Sequence, residues 1–121
     1  MPNLNPFTAL RSNSEKDRRW RRYKVDLSVR VKAWRGGAFQ TMDGRGSDLC
    51  EGGMALEIPQ PLQIGETVTV ELQLPYSEHP MMLTGVVRNS RGTNFGIEFV
   101  SLGEAQRQAI VRLCESLEKA Q

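Results

Sequence analysis

Runs of period-two alternation, with nothing helical between them, limit what this chain can fold into. Val25, Leu27, Val29, Val31 and Ala33 alternate with Asp26, Ser28, Arg30 and Lys32, which is a strand with one dry and one wet face. Gly36-Gly37 supplies a tight-turn signal, and a return strand begins at Phe39. Asp43-Gly44-Arg45-Gly46 reads as a break, so Ser47–Cys50 and Met54–Ile58 are expected as short strands on either side of Glu51-Gly52-Gly53. Thr67–Leu74 alternates again, Met81–Asn89 follows, Ser90–Thr93 turns, and Asn94–Val100 places Phe95, Ile97 and Phe99 on one face. About six strands joined by connections too short for crossover helices imply an all-β, antiparallel sheet. The economical way to close it is a small barrel.

One helix is expected, at the end. Ser101-Leu102-Gly103-Glu104 has the form of a capping box, and Ala105, Ala109, Ile110, Leu113, Cys114 and Leu117 then recur at helical spacing. That face has to bury against the sheet, covering one side or end of the barrel.

With 121 residues, 39% of them apolar and 25% charged, the chain suits one folded domain with one modest core. Met1–Lys16, with Pro2, Pro6 and several Asn and Ser, has no periodicity and reads as a flexible leader to a domain over 17–121. No apolar run approaches the ~20 residues that span a bilayer, and Met1–Ser14 lacks the centre of a signal peptide, so a cytoplasmic protein without membrane insertion is expected. Cys50 and Cys114 have no second ligand at metal spacing, and two reduced, packed thiols are expected rather than a zinc site or disulfide.

Charge is unevenly placed. Arg11–Arg35 holds ten basic and three acidic residues, +7, whereas the remainder carries −5, so the small net charge of +2 hides an electrostatic footprint for an anion. Catalytic material is poor. The single histidine, His79, lies in the polar segment Ser77-Glu78-His79-Pro80, and Gly44-Arg45-Gly46 lacks the Lys and helix of a phosphate loop. A non-catalytic protein without a cofactor or metal is therefore expected.

Two segments carry a more specific signal. Asp17-Arg18-Arg19-Trp20-Arg21-Arg22 precedes the first long strand, and Asp48-Leu49-Cys50-Glu51-Gly52-Gly53 lies between two short ones. In order and context they resemble the two signature motifs of the PilZ domain family: arginines four residues apart, here Arg18 and Arg22, then Asp or Asn, any, Ser, any, any, Gly. Thr84-Gly85-Val86-Val87-Arg88, Phe95-Gly96-Ile97-Glu98-Phe99 and a terminal helix extend the resemblance over roughly Arg18–Leu117.

The resemblance implies a six-stranded antiparallel barrel with a C-terminal helix that binds cyclic di-GMP and relays its level to an effector protein. The implied ligand residues are Arg18, Arg19, Arg22, Asp48, Cys50 and Gly53. Their chemistry fits two phosphates and two guanines. A guanidinium forks onto a phosphate or onto guanine O6 and N7 and also stacks on a purine. Asp48 offers acceptors to the guanine N1–H and N2–H₂ donors, and Gly53 permits a close backbone approach. An arm that orders around the ligand would convert binding into a contact change. Cys50 departs from the family's Ser. If that side chain meets the ligand, the loss is on the order of 0.5–1.5 kcal/mol.

Trp20 reads equally as a stacking ring or a lid. Arg88 and Arg91 read as ordinary polar strand residues, with phosphate contact the lesser alternative. Two further functions compete: a degenerate PilZ module acting only through protein contacts, favoured by Cys50, and a small barrel whose basic arm follows nucleic-acid phosphates. The second is the weaker, since Phe95 and Phe99 alternate with Ile97 and read as core rather than as a stacking platform.

Overall fold

The structure, a computed structural model of the chain, describes residues 22–74 and 77–120. The leader over Met1–Lys16, Trp20 and the arginines Arg18 and Arg19 lie outside the described residues. Six strands appear in order: β1 (Tyr23–Arg35), β2 (Ala38–Cys50), β3 (Gly53–Glu57), β4 (Thr67–Leu72), β5 (Met81–Arg91) and β6 (Asn94–Val100). A helix, α1 (Glu104–Ala120), follows. All pairings are antiparallel, and the order β1-β2-β3-β6-β5-β4 closes on itself because β4 pairs with β1. Closure leaves no edge along the paired stretches, which is how an antiparallel sheet of this size avoids open backbone.

The alternating residues turn inward as their period requires. Val29, Val31, Ala33, Met42, Val70, Leu72, Leu83, Val87 and Ile97 are all buried. Each fully buried branched side chain contributes roughly 1.5–3 kcal/mol relative to exposure.

The expected break at Asp43–Gly46 does not occur: β2 runs through it without interruption. Neither glycine there has a positive φ. Both are needed for space, since a Cβ on Gly44 would stand 2.5 Å from the Glu57 carbonyl oxygen, and one on Gly46 would stand 2.5 Å from Met54 Cε. β4 ends two residues earlier than its alternation suggests, at Leu72, and β5 runs on to Arg91 before a turn at Gly92-Thr93.

The helix begins two residues after the place that a Ser101 cap implies. Gly103 is the cap: its carbonyl accepts from Arg107 N–H at 3.0 Å, and Gln106 Oε1 reaches back to accept from Gly103 N–H at 2.8 Å. The reciprocal half of the box therefore belongs to Gln106, three residues on, and not to Glu104. Ser101 instead takes a left-handed φ of 55°, turning the chain from β6 toward α1. Ile110 and Leu113 are buried on the barrel, Cys114 and Leu117 pack at its margin, and Gln106 Nε2 donates to the Met82 carbonyl of β5. Ala105, which shares their period, stays exposed.

The β1–β2 hairpin is fastened to the long connection before β4. Arg35 donates to both carboxylate oxygens of Glu66, Nε to Oε2 at 3.0 Å and Nη2 to Oε1 at 2.9 Å, and to the Pro61 carbonyl. The bonds from Arg35 hold the Glu66 carboxyl below its ordinary value of 4.5. A carboxylate with a lowered folded-state pKa adds stability above its unfolded pKa, and the contribution disappears as pH falls through the folded value. Glu66→Gln should accordingly be less stable than wild type at neutral pH, by on the order of 1 kcal/mol. The gap should narrow as denaturation is repeated at successively lower pH below about 4.5; a gap independent of pH would contradict this role.

Candidate functional site

Asp48 reaches the barrel surface because of a bulge. Gly46 pairs with Leu56 and Asp48 pairs with Ala55, so Ser47 is an extra residue with no partner on β3. Met42 and Gly46 face inward before the bulge and Leu49 does after it, which leaves Ser47 and Asp48 both directed outward. On the other side of β2 the register slips at the same level, between Lys24 and Leu27. A third bulge sits in β5, where Val87 pairs with Ile97 but Asn89 pairs with Gly96. In unbroken register Arg88 would face Gly96. The bulge puts Asn89 there instead, and Arg88 Nε donates to Glu98 Oε1 at 2.6 Å.

These slips align a row across five strands: Lys24, Asp48, Ala55, Gly96 and Asn89 stand opposite one another in turn. Directly opposed residues share a face. The two smallest side chains lie in the middle, so the row forms a trough with polar walls. Asn94 and Arg91 oppose each other in the next outward row. The resulting cleft has a volume of about 270 Å³ and is lined by Arg22, Ser47, Asp48, Ala55, Asn89, Arg91, Asn94, Phe95 and Gly96. Arg22, just before β1, and Asp48, far along β2, thus share one cavity. Lys24 Nζ lies 3.5 Å from Asp48 Oδ1, and the Asp48 side chain is 20% exposed, open enough to accept from a ligand.

The other two motif residues are placed differently. Cys50 is fully buried in the barrel core. Burial pushes its thiol up to about 11, against the opposing effect of hydrogen bonds from the Gly52 and Gly53 backbone. Cys114, half-buried on α1, is pushed up to about 12, again by burial first. Both are free thiols. At Gly53 the close approach is made by the protein itself: a Cβ there would overlap the Ile97 carbonyl oxygen of β6. Neither residue lines the cleft. Cys50→Ser is therefore expected to leave ligand affinity within about twofold and to lower stability by no more than about 1 kcal/mol, because a more polar hydroxyl enters a buried site where the Gly52 and Gly53 N–H groups satisfy it only in part. Tighter binding in that variant would show that the side chain meets the ligand.

Ser47, Asn89 and Asn94 carry no sequence signal for this site, because the bulges that expose or align them leave the alternation unmarked. Arg91, which reads as an ordinary strand residue, stands in the cleft wall.

A larger groove of about 870 Å³ lies along the β1–β2 hairpin, lined among others by Ser28, Arg30, Asp43, Arg45, Glu57 and Glu71. Its arginines are committed, Arg30 Nε to Asp43 Oδ1 at 3.0 Å and Arg45 to Asp26. Three carboxylates in its wall would repel an anion. The smaller cleft has the opposite balance, with Arg22 and Arg91 beside the single carboxylate of Asp48. Among the described residues no group of three or more His, Cys, Asp or Glu is placed to hold a metal, and no helix is long and apolar enough to cross a membrane.

A family profile described as the PilZ domain matches residues 16–116. No curated protein matches the sequence. Among solved structures, MotI/DgrA, an inhibitor of motility from Bacillus subtilis, superposes with a TM-score of 0.70 at 19% identity over 84% of this chain and 51% of that one. The chain thus spans about half the length of MotI/DgrA. The PilZ domain of CeSA from a cellulose-synthesizing bacterium gives a TM-score of 0.63 at 20% identity, covering 81% of this chain and 98% of the other. The PilZ domain of YcgR from Escherichia coli, solved with c-di-GMP, gives 0.65 at 15% identity, covering 84% and 92%. At these identities the similarity establishes a shared fold.

Proposed function

Because the chain belongs to the PilZ domain family, we propose that it is a non-catalytic cytoplasmic receptor for cyclic di-GMP, whose binding orders an Arg-rich arm and changes a contact with an effector protein. The observation that carries this reading is the shared cleft: Arg22 and Asp48, from motifs 26 positions apart, line one cavity. Asp48 accepts from the guanine N1–H and N2–H₂ donors, which adenine does not present in the same way. Arg22 and Arg91 supply forked donors for a phosphate or for guanine O6 and N7. The Ala55–Gly96 floor lets a purine lie close to the sheet. Asn89 and Asn94 offer amides that both donate and accept along its edge.

The cleft is slightly smaller than the ~300–1,000 Å³ typical of small-molecule sites. It takes one end of the ligand, and the proposed role of Arg18 and Arg19 is to cover the remainder. This division couples occupancy to the order of the arm, which an effector protein reads. The test is calorimetric titration of the whole chain with cyclic di-GMP, GTP and single-stranded DNA. Saturable heat with cyclic di-GMP alone is expected. No heat with it would leave a protein-contact module, and salt-sensitive binding to DNA would favour the phosphate-tracking alternative.

A further inference from the structure

The β1–β2 hairpin projects past the strands that flank it. Gly36 and Gly37, with φ of 60° and 86°, form the two-residue turn, so the flanking pair Arg35/Ala38 is hydrogen-bonded. Counting in twos, Gln40, Met42 and Gly44 also bond toward β1, whereas Phe39, Thr41 and Asp43 direct N–H and C=O away from it. The same phase makes Arg45 the residue that bonds to β3, opposite Glu57. Among the described residues no strand other than β1 pairs with β2 between Ala38 and Gly44, so the edge facing away from β1 is open there. Ala38–Asp43 contains no Lys, Arg or Pro, the residues that ordinarily protect a free edge. Its outer face carries an exposed aromatic pair, Trp34 (61%) and Phe39 (64%), packed edge to face with centroids 4.9 Å apart.

We propose that this edge is a homodimer interface, in which β2 pairs antiparallel with β2 of a second copy about a twofold axis at Gln40. The occupant follows from length and composition. In this register Phe39 opposes the partner's Thr41, and Asp43 opposes the partner's Gly37, so the partner's turn ends where β3 begins. A register centred on Thr41 would instead drive the partner's Gly37 against Arg45, whose edge Glu57 already occupies. Pairing about Gln40 also brings Phe39 diagonal to the partner's Phe39, within aromatic reach. Trp34 and the partner's Trp34 then flank them in one apolar cluster. The contact is isologous, as a closed dimer requires. It is also short, so the dimer should dissociate on dilution.

The test is sedimentation of the whole chain from low-micromolar to submillimolar concentration. A reversible monomer–dimer equilibrium is expected. Thr41→Pro removes an N–H that β1 does not use, and Thr41→Lys places a charge on the exposed edge without touching the backbone. Each should weaken dimerisation by about tenfold or more. Gln40→Cys should form an intermolecular disulfide under mild oxidant, because a non-hydrogen-bonded antiparallel pair has the Cα spacing that a disulfide needs. A wild-type chain monomeric throughout, a dimer that survives both Thr41 variants, or a Gln40→Cys variant that dimerises without crosslinking would each overturn the proposal.

Discussion

Arg22→Ala is expected to weaken cyclic di-GMP binding by about ten- to hundredfold while leaving thermal stability nearly unchanged. Charge-assisted hydrogen bonds contribute roughly 1.5–3 kcal/mol each, and about 1.4 kcal/mol corresponds to a factor of ten. Arg22 stands exposed ahead of β1, outside the core, so its removal should shift stability by no more than about 0.5 kcal/mol. Asp48→Ala should reduce affinity in the same direction, and more for guanine-containing ligands than for adenine analogues, because it removes the acceptors that select N1–H and N2–H₂. Titration calorimetry of the three proteins measures both effects. An Arg22 variant that binds as wild type would remove that guanidinium from the site.

Gly53→Ala should have the opposite signature: a loss of about 3 kcal/mol in stability, with affinity preserved in whatever fraction folds. The added methyl meets the Ile97 carbonyl oxygen. That oxygen is backbone in the neighbouring strand β6, where Gly53 pairs with Glu98, and cannot turn aside as a flexible side chain would. Overpacking of this kind costs about 1–3 kcal/mol and occasionally more. Denaturant melts and calorimetry on the same sample separate the two quantities. Unchanged stability combined with lost binding would assign the glycine to the ligand instead.

The contrast between Arg22 and Gly53 shows what the sequence makes legible. The fold is written in alternation, because a barrel that closes on itself must bury one face of every strand, and Val25–Ala33 and Asn94–Val100 show this directly. The motif positions are legible as a pair of segments, but not the purpose of each residue. Gly53 reads as room for a ligand, and the close approach that the fold makes there is that of β6. Cys50 reads as a site side chain, and its thiol lies buried in the core, away from the cleft lining. Gly44 and Gly46 read as a break and serve as space inside an unbroken strand. The walls of the cleft were hidden for a different reason. Asn89 comes into line, and Ser47 outward, only because one residue is inserted in each of β5 and β2, and a bulge changes which face a residue occupies without changing its neighbours in sequence. The helix start at Gly103 was displaced likewise: Ser101 with Glu104 has the form of a capping box, but Ser101 takes a left-handed φ, and Gly103 with Gln106 makes the bonds that begin the helix.

On the proposed reading cyclic di-GMP is held in the trough running from Asp48 to Asn89, and amide chemical-shift mapping of the intact chain during addition of cyclic di-GMP reads its place residue by residue. Saturable shifts concentrated at Arg22, Asp48, Ala55, Asn89 and Gly96, with the Trp34–Phe39 hairpin tip unmoved, are the predicted result. Saturable shifts confined to the groove around Arg30, Asp43 and Glu71, or none at any ligand excess, would contradict it.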